Sequence, residues 1–168
     1  QIEPLAQSVD DSAGIYIVPA FSGLFAPHWR GDARGAIVGL TSYVTKAHLA
    51  RAVLEATCYQ TRDVLDAMRQ DTGIEVTSLK VDGGMVVNDL LMQFQADILG
   101  AEVVRPQVGQ TTALGAAYLA GLQVGLYDSL DAIAKLWRAE RHFAVDKSAS
   151  EVDALYEGWC EAVARVRG

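Results

Sequence analysis

The stretch from Ser78 to Gly100 constrains this chain most. Ser78-Leu79-Lys80 is short and runs into apolar Val81, as the end of a buried strand does. Leu90 to Leu99 has helical spacing and stops at Gly100. Between them lies Val81-Asp82-Gly83-Gly84-Met85-Val86-Val87-Asn88-Asp89, so a Gly-Gly pair joins a strand to a helix start. Backbone N–H groups are unpaired at such a place, and the helix dipole favours a negative group there. Glycine has no Cβ, so a phosphate or a ribose can approach the main chain. Asn88, about one helical turn on, carries an amide that both donates and accepts. These residues make a nucleotide-site candidate; the same pair also suits a tight strand–helix turn that needs φ > 0.

The other segments supply the frame. Ile15-Tyr16-Ile17-Val18, closed by Pro19, reads as a strand, and Ala36 to Leu40 as a second. The aromatic stretch from Phe21 to Arg34 reads as a long ordered loop. The spacing predicts a helix over 46–71, with Thr45 as N-cap and Gly73 as C-cap. Its apolar face is expected at Leu49, Ala52, Val53, Ala56, Tyr59 or Gln60, Val64, Leu65 and Met68. Glu55, Asp63 and Asp66 are expected to face solvent. Glu102-Val103-Val104 reads as a short strand ended by Pro106. Thr111 to Gly125 reads as a helix whose small residues serve packing. Ser129 caps a short helix to Arg138, 139–150 read as a polar loop, and an amphipathic helix runs over 152–167. Strands come first and then alternate with helices, which predicts a single α/β domain over 1–168 with a mixed sheet flanked by helices.

Composition removes several function classes. The 168 residues suffice for one domain with a true core. The net charge of −7, with no Lys/Arg cluster, argues against a nucleic-acid partner. No apolar run reaches membrane-spanning length and nothing reads as a signal peptide. Cys58 and Cys160 have no metal-ligand spacing to each other or to His28, His48 and His142. They read as reduced thiols of a cytoplasmic protein, and no metal site is expected. Trp137 and Trp159 are expected to pack. The chain opens on Gln1 rather than Met, which leaves a fragment or a processed piece as the expectation.

Several segments together resemble a known family. They are Ile15 to Trp29 (IYIVPAFSGLFAPHW), Gly35 to Glu55 (GAIVGLTSYVTKAHLARAVLE), Tyr59 to Met68 (YQTRDVLDAM), the Val81 to Asn88 turn, and Thr111 to Gly121 (TTALGAAYLAG). In their order, over roughly residues 15–125, they resemble the C-terminal half of the FGGY carbohydrate kinases, and among these the glycerol kinases. The chain departs from other members in having Phe25 in place of Gly and His28 in place of Tyr.

The resemblance implies an actin-like, ribonuclease-H-like ATPase domain that binds ATP or ADP with Mg2+. It implies nucleotide contacts at Gly84 and Asn88, a turn shaped by Gly83, and a backbone within reach at Met85. For Asp82 it implies a turn role rather than a metal role. Within the family, the glycerol kinases transfer the γ-phosphoryl of ATP to a terminal hydroxyl of glycerol, giving glycerol 3-phosphate. Their catalytic base, glycerol site and Mg2+ ligands belong to an N-terminal half that precedes anything here, so no catalytic residue falls in this chain. Alone, the chain is expected to bind nucleotide weakly and transfer nothing. The full-length enzyme is expected to be a homo-oligomer. A kinase of a pentulose or larger polyol, or a non-catalytic nucleotide- or partner-binding module, remains open at this point.

Overall fold

The computed structural model describes residues 2–168; Gln1 lies outside the described residues. The elements run α1 (Ile2–Ala6), β1 (Tyr16–Val18), β2 (Ala36–Val38), α2 (Lys46–Thr72), β3 (Ser78–Lys80), a 3-10 turn (Gly84–Val87), α3 (Asp89–Leu99), β4 (Glu102–Pro106), α4 (Thr111–Gln123), α5 (Leu130–Ala134), β5 (Ala139–Phe143) and α6 (Ala149–Arg167). β1 and β2 form an antiparallel pair. β3, β4 and β5 form a second sheet in that order, β3 parallel to β4 and β5 antiparallel to it. The mixed sheet flanked by helices is therefore present.

α2 is the spine, packed against α1, α3 and β1, while α6 packs on β1 and α3. Its ends are set chemically. The Thr45 hydroxyl and the His48 ring cap the first turn reciprocally, and Gly73 closes the helix at φ +69°. The core gathers around Tyr59, which stacks on Trp159 with centroids 5.3 Å apart and meets Phe94 edge-on at 5.5 Å. Val18, Ile98, Val103, Phe143 and Val163 complete it.

Several expectations are corrected here. Residues 139–143 are not loop but strand β5, and α6 begins at Ala149. In that strand Phe143 alone is buried, so an edge strand with polar outward residues leaves no apolar run to read. Glu55 and Asp63 do not face solvent; both are buried. Arg51 Nε donates to Glu55 at 2.8 Å, and burial pushes the Glu55 carboxyl above the usual range against that partner. Asp63 accepts from Tyr156 Oη at 2.6 Å and from Trp159 Nε1 at 2.9 Å, both on α6. Conversely Val53, Val64 and Met68 lie on the exposed face of α2. On α4 only Gly121 is buried, against Tyr127, and Gly115 faces open space, so the other small residues of the helix are not buried within this chain.

Trp159 packs as expected, and Trp137 is half-buried beneath Lys80, whose Nζ lies 4.2 Å from the ring centroid. Trp29, at φ +52°, is exposed with Phe21 and Phe25.

Candidate functional site

The turn after β3 is where sequence and structure converge. Gly83 takes φ +93° and ψ −177°, a backbone open to glycine almost alone. Its N–H donates to the Gly109 carbonyl at 3.1 Å, which ties the turn to the loop after β4. Gly84 to Val87 then form one 3-10 turn, exposed except for Val86. Among the described residues, the N–H groups of Gly84 and Met85 have no partner in the chain. A Cβ built on Gly84 would meet nothing within 4 Å, so the space beside it is open.

One local expectation moves. Free donors sit on the 3-10 turn ahead of α3, while two of the donors at the start of α3 are taken. Asn88 is the N-cap of α3: its Oδ1 accepts from Leu91 N at 2.8 Å. Glu3 of α1 accepts from Leu90 N at 3.1 Å. The Leu90 and Leu91 donors of the first turn of α3 are thus taken, and Asn88, itself buried, keeps its Nδ2 hydrogens for another partner. Asp82 is exposed beside the turn, and among the described residues no three His, Cys, Asp or Glu side chains gather as metal ligands would.

Two cavities flank the turn. One, about 550 Å³, is lined by Ile2, Pro4, Leu54, Met85, Asn88 and Leu91, with Gly84 at its edge. The other, about 440 Å³, is lined by Gly83, Gly84, Arg105, Gln107, Gln110 and Glu140. An apolar hollow and one that also carries charged and amide side chains therefore meet at Gly84. The structure brings Gly83, Gly84, Met85 and Asn88 together around that meeting point. Sequence reasoning missed Glu3, which supports the site from 87 residues away, and Arg105, which no short motif marks.

The architecture is that of an actin-like ATPase domain, as in the kinases it superposes on. The model of the FGGY family of carbohydrate kinases, C-terminal domain, matches residues 3–124, and the chain belongs to that family. It is 60% identical over 168 residues to glycerol kinase 2 of Streptomyces avermitilis, covering 100% of this chain and 33% of that protein. It is also 60% identical over 165 residues to the glycerol kinase of Chloroflexus aggregans, covering 98% and 33%. Among solved structures it superposes on the Plasmodium falciparum glycerol kinase with ADP with a TM-score of 0.87 and 36% identity, covering 98% of this chain and 33% of that one. The gluconate kinase of Lactobacillus acidophilus follows at 0.82 and 27%, covering 99% and 34%. The chain spans about a third of the length of the curated relatives it matches.

Proposed function

We propose that this chain is the C-terminal, nucleotide-binding part of a glycerol kinase. The observation that carries it is the pair of unpartnered N–H groups on Gly84 and Met85, exposed beside a residue without a side chain. A polyphosphate oxygen accepts from such donors, and Asn88 Nδ2 adds a third within the same hollow. Gly83 gives the turn its shape, Gly84 and Met85 offer main chain, and Asn88 offers its amide. Identity near 60% to glycerol kinases, against 27% and 28% to a gluconate and a xylulose kinase, favours glycerol as acceptor.

Phosphoryl transfer rests on positioning and on neutralising charge at the γ-phosphate. The residues here fit the nucleotide. The catalytic base, the glycerol pocket and the Mg2+ ligands are assigned to the other two-thirds of a protein of the relatives' length. Mg2+ supplies charge neutralisation between the phosphates when bound, and no residue of this chain is assigned to it. The longer enzyme is taken as a cytoplasmic homo-oligomer on the resemblance alone; both cysteines here are free, and among the described residues no helix is long and apolar enough to cross a membrane.

The test is ATP turnover with glycerol, gluconate and xylulose as acceptors, for this chain and for the full product of its gene. Glycerol-dependent turnover by the full product and none by the chain alone is expected. Turnover by the chain alone, or a preference of the full product for a sugar, would contradict it.

A further inference from the structure

We infer that Arg105 is a positioning residue that aims the Gly84–Met85 N–H pair. The inference rests on the nucleotide reading of that turn. A four-residue 3-10 turn entered through a glycine has little stiffness of its own. The hydrogen bond that opens it is long, Val86 N to Gly83 O at 3.4 Å, and the one that closes it, Asn88 N to Met85 O, is 3.1 Å. The direction of the free donors must therefore be set from outside the turn.

Arg105 on β4 is placed to do that. Its side chain is buried and touches three other elements at once. Nη1 donates to the Val86 carbonyl at 2.8 Å, in the middle of the turn. The same nitrogen donates to Asp89 Oδ1 at 2.8 Å, on the first residue of α3. Nε donates to Glu140 Oε2 at 2.6 Å, on β5. Phe143 lies under the guanidinium, 5.4 Å from its carbon to the ring centroid. Arg141 holds the other oxygen of Asp89. The charge of Arg105 is thus met by two carboxylates, and what it gives the site is geometry rather than field. A lysine in its place carries a single ammonium and cannot span Val86, Asp89 and Glu140 together. Arg105 also lines the hollow beside Gly83 and Gly84, so a shift of its plane changes the wall of the site.

The test uses Arg105→Lys and Arg105→Met in the 15N-labelled chain, with two readouts. Amide hydrogen exchange is followed at Val86, Val87 and Asn88, with α2 and α6 amides as internal reference. ADP is titrated against the same samples. Exchange at the three turn amides is expected to rise about tenfold in both variants while α2 and α6 amides hold, as loss of a hydrogen bond to a charged group implies. ADP affinity is expected to fall about tenfold, because a slight misaim of positioned donors is costly. Glu102→Gln, on the same strand as Arg105 but bonded to His142 and away from the turn, is expected to stay within threefold of the unsubstituted chain in both readouts. Unchanged exchange at the turn, or exchange rising uniformly across the sheet and helices with ADP affinity unaltered, would overturn the inference and leave Arg105 a general structural residue. If the unsubstituted chain shows no ADP response, the nucleotide reading fails, and the exchange readout still decides whether Arg105 holds the turn.

Discussion

Replacing Asp63 by alanine should cost this fold about 3 kcal/mol, and the figure can be built from its two donors. Trp159 is 1% exposed, and its indole N–H points at Asp63 Oδ2. With the acceptor gone, that donor is stranded in the core, at about 2 kcal/mol. Tyr156 is half-buried, so its hydroxyl regains water and loses about 1 kcal/mol. His28 Nε2, 3.5 Å from the same carboxylate, is too far to add a good hydrogen bond. For a chain of this size the sum lowers Tm by about 6–12 °C. Urea unfolding followed by circular dichroism and tryptophan fluorescence measures it, with an unchanged m-value as the sign of a common mechanism. Trp159→Phe supplies the cross-check: made in the Asp63→Ala background it should cost less than in the unsubstituted chain, since the stranded donor is removed. A loss below about 1 kcal/mol would place Asp63 among ordinary surface positions and refute the buried acceptor.

The two glycines of the turn should separate stability from binding. Gly83→Ala forces an alanine into φ +93° and is expected to cost about 1–3 kcal/mol in urea unfolding. Gly84→Ala meets open space, so its Tm should hold while its methyl group obstructs ADP. Asn88→Ala removes the cap of α3 and should cost about 1 kcal/mol, whereas Asn88→Asp keeps the cap and the stability but loses the amide donor and with it the ADP response. At high pH the phenols of Tyr16, Tyr59 and Tyr156 are held above their ordinary range, by burial first, then by Glu55 for Tyr16, by Glu55 for Tyr59 and by the Asp63 contacts for Tyr156. Because the folded values are raised, their stabilisation is complete below pH ~10 and is lost as pH climbs toward the folded values. Stability should therefore fall above pH ~10, with a shallower slope in Tyr156→Phe, as read by unfolding at each pH and by phenolate absorbance.

How far the sequence carried depends on where the information lies. α2 is legible because its ends are local chemistry: Thr45 and Gly73 mark them, and the helix runs from Lys46 to Thr72 against an expected 46–71. Ser129 capping α5 and Gly100 closing α3 belong to the same kind. The face of α2 is not legible in that way. Val53, Val64 and Met68 have the right spacing but are exposed, while Asp63 is buried because Tyr156 and Trp159, more than ninety residues later, supply donors. A carboxylate is buried only when such partners exist, and partners from a distant helix leave no periodic trace. β5 escaped because an edge strand needs only Phe143 inward. At the site, Gly83, Gly84, Met85 and Asn88 stood out as a strand–glycine–helix junction. Glu3 occupying an α3 donor and Arg105 gripping Val86 did not, since both act across long sequence separations.

The most direct test of the nucleotide site is a titration of the 15N-labelled chain with Mg-ADP, followed amide by amide. Shifts centred on Gly83, Gly84, Met85 and Asn88, and lost in Asn88→Asp, are the expected result. A folded chain with no shift at millimolar ADP, or with shifts centred on the separate hollow around Tyr118 and Trp137, would contradict a nucleotide site at this turn.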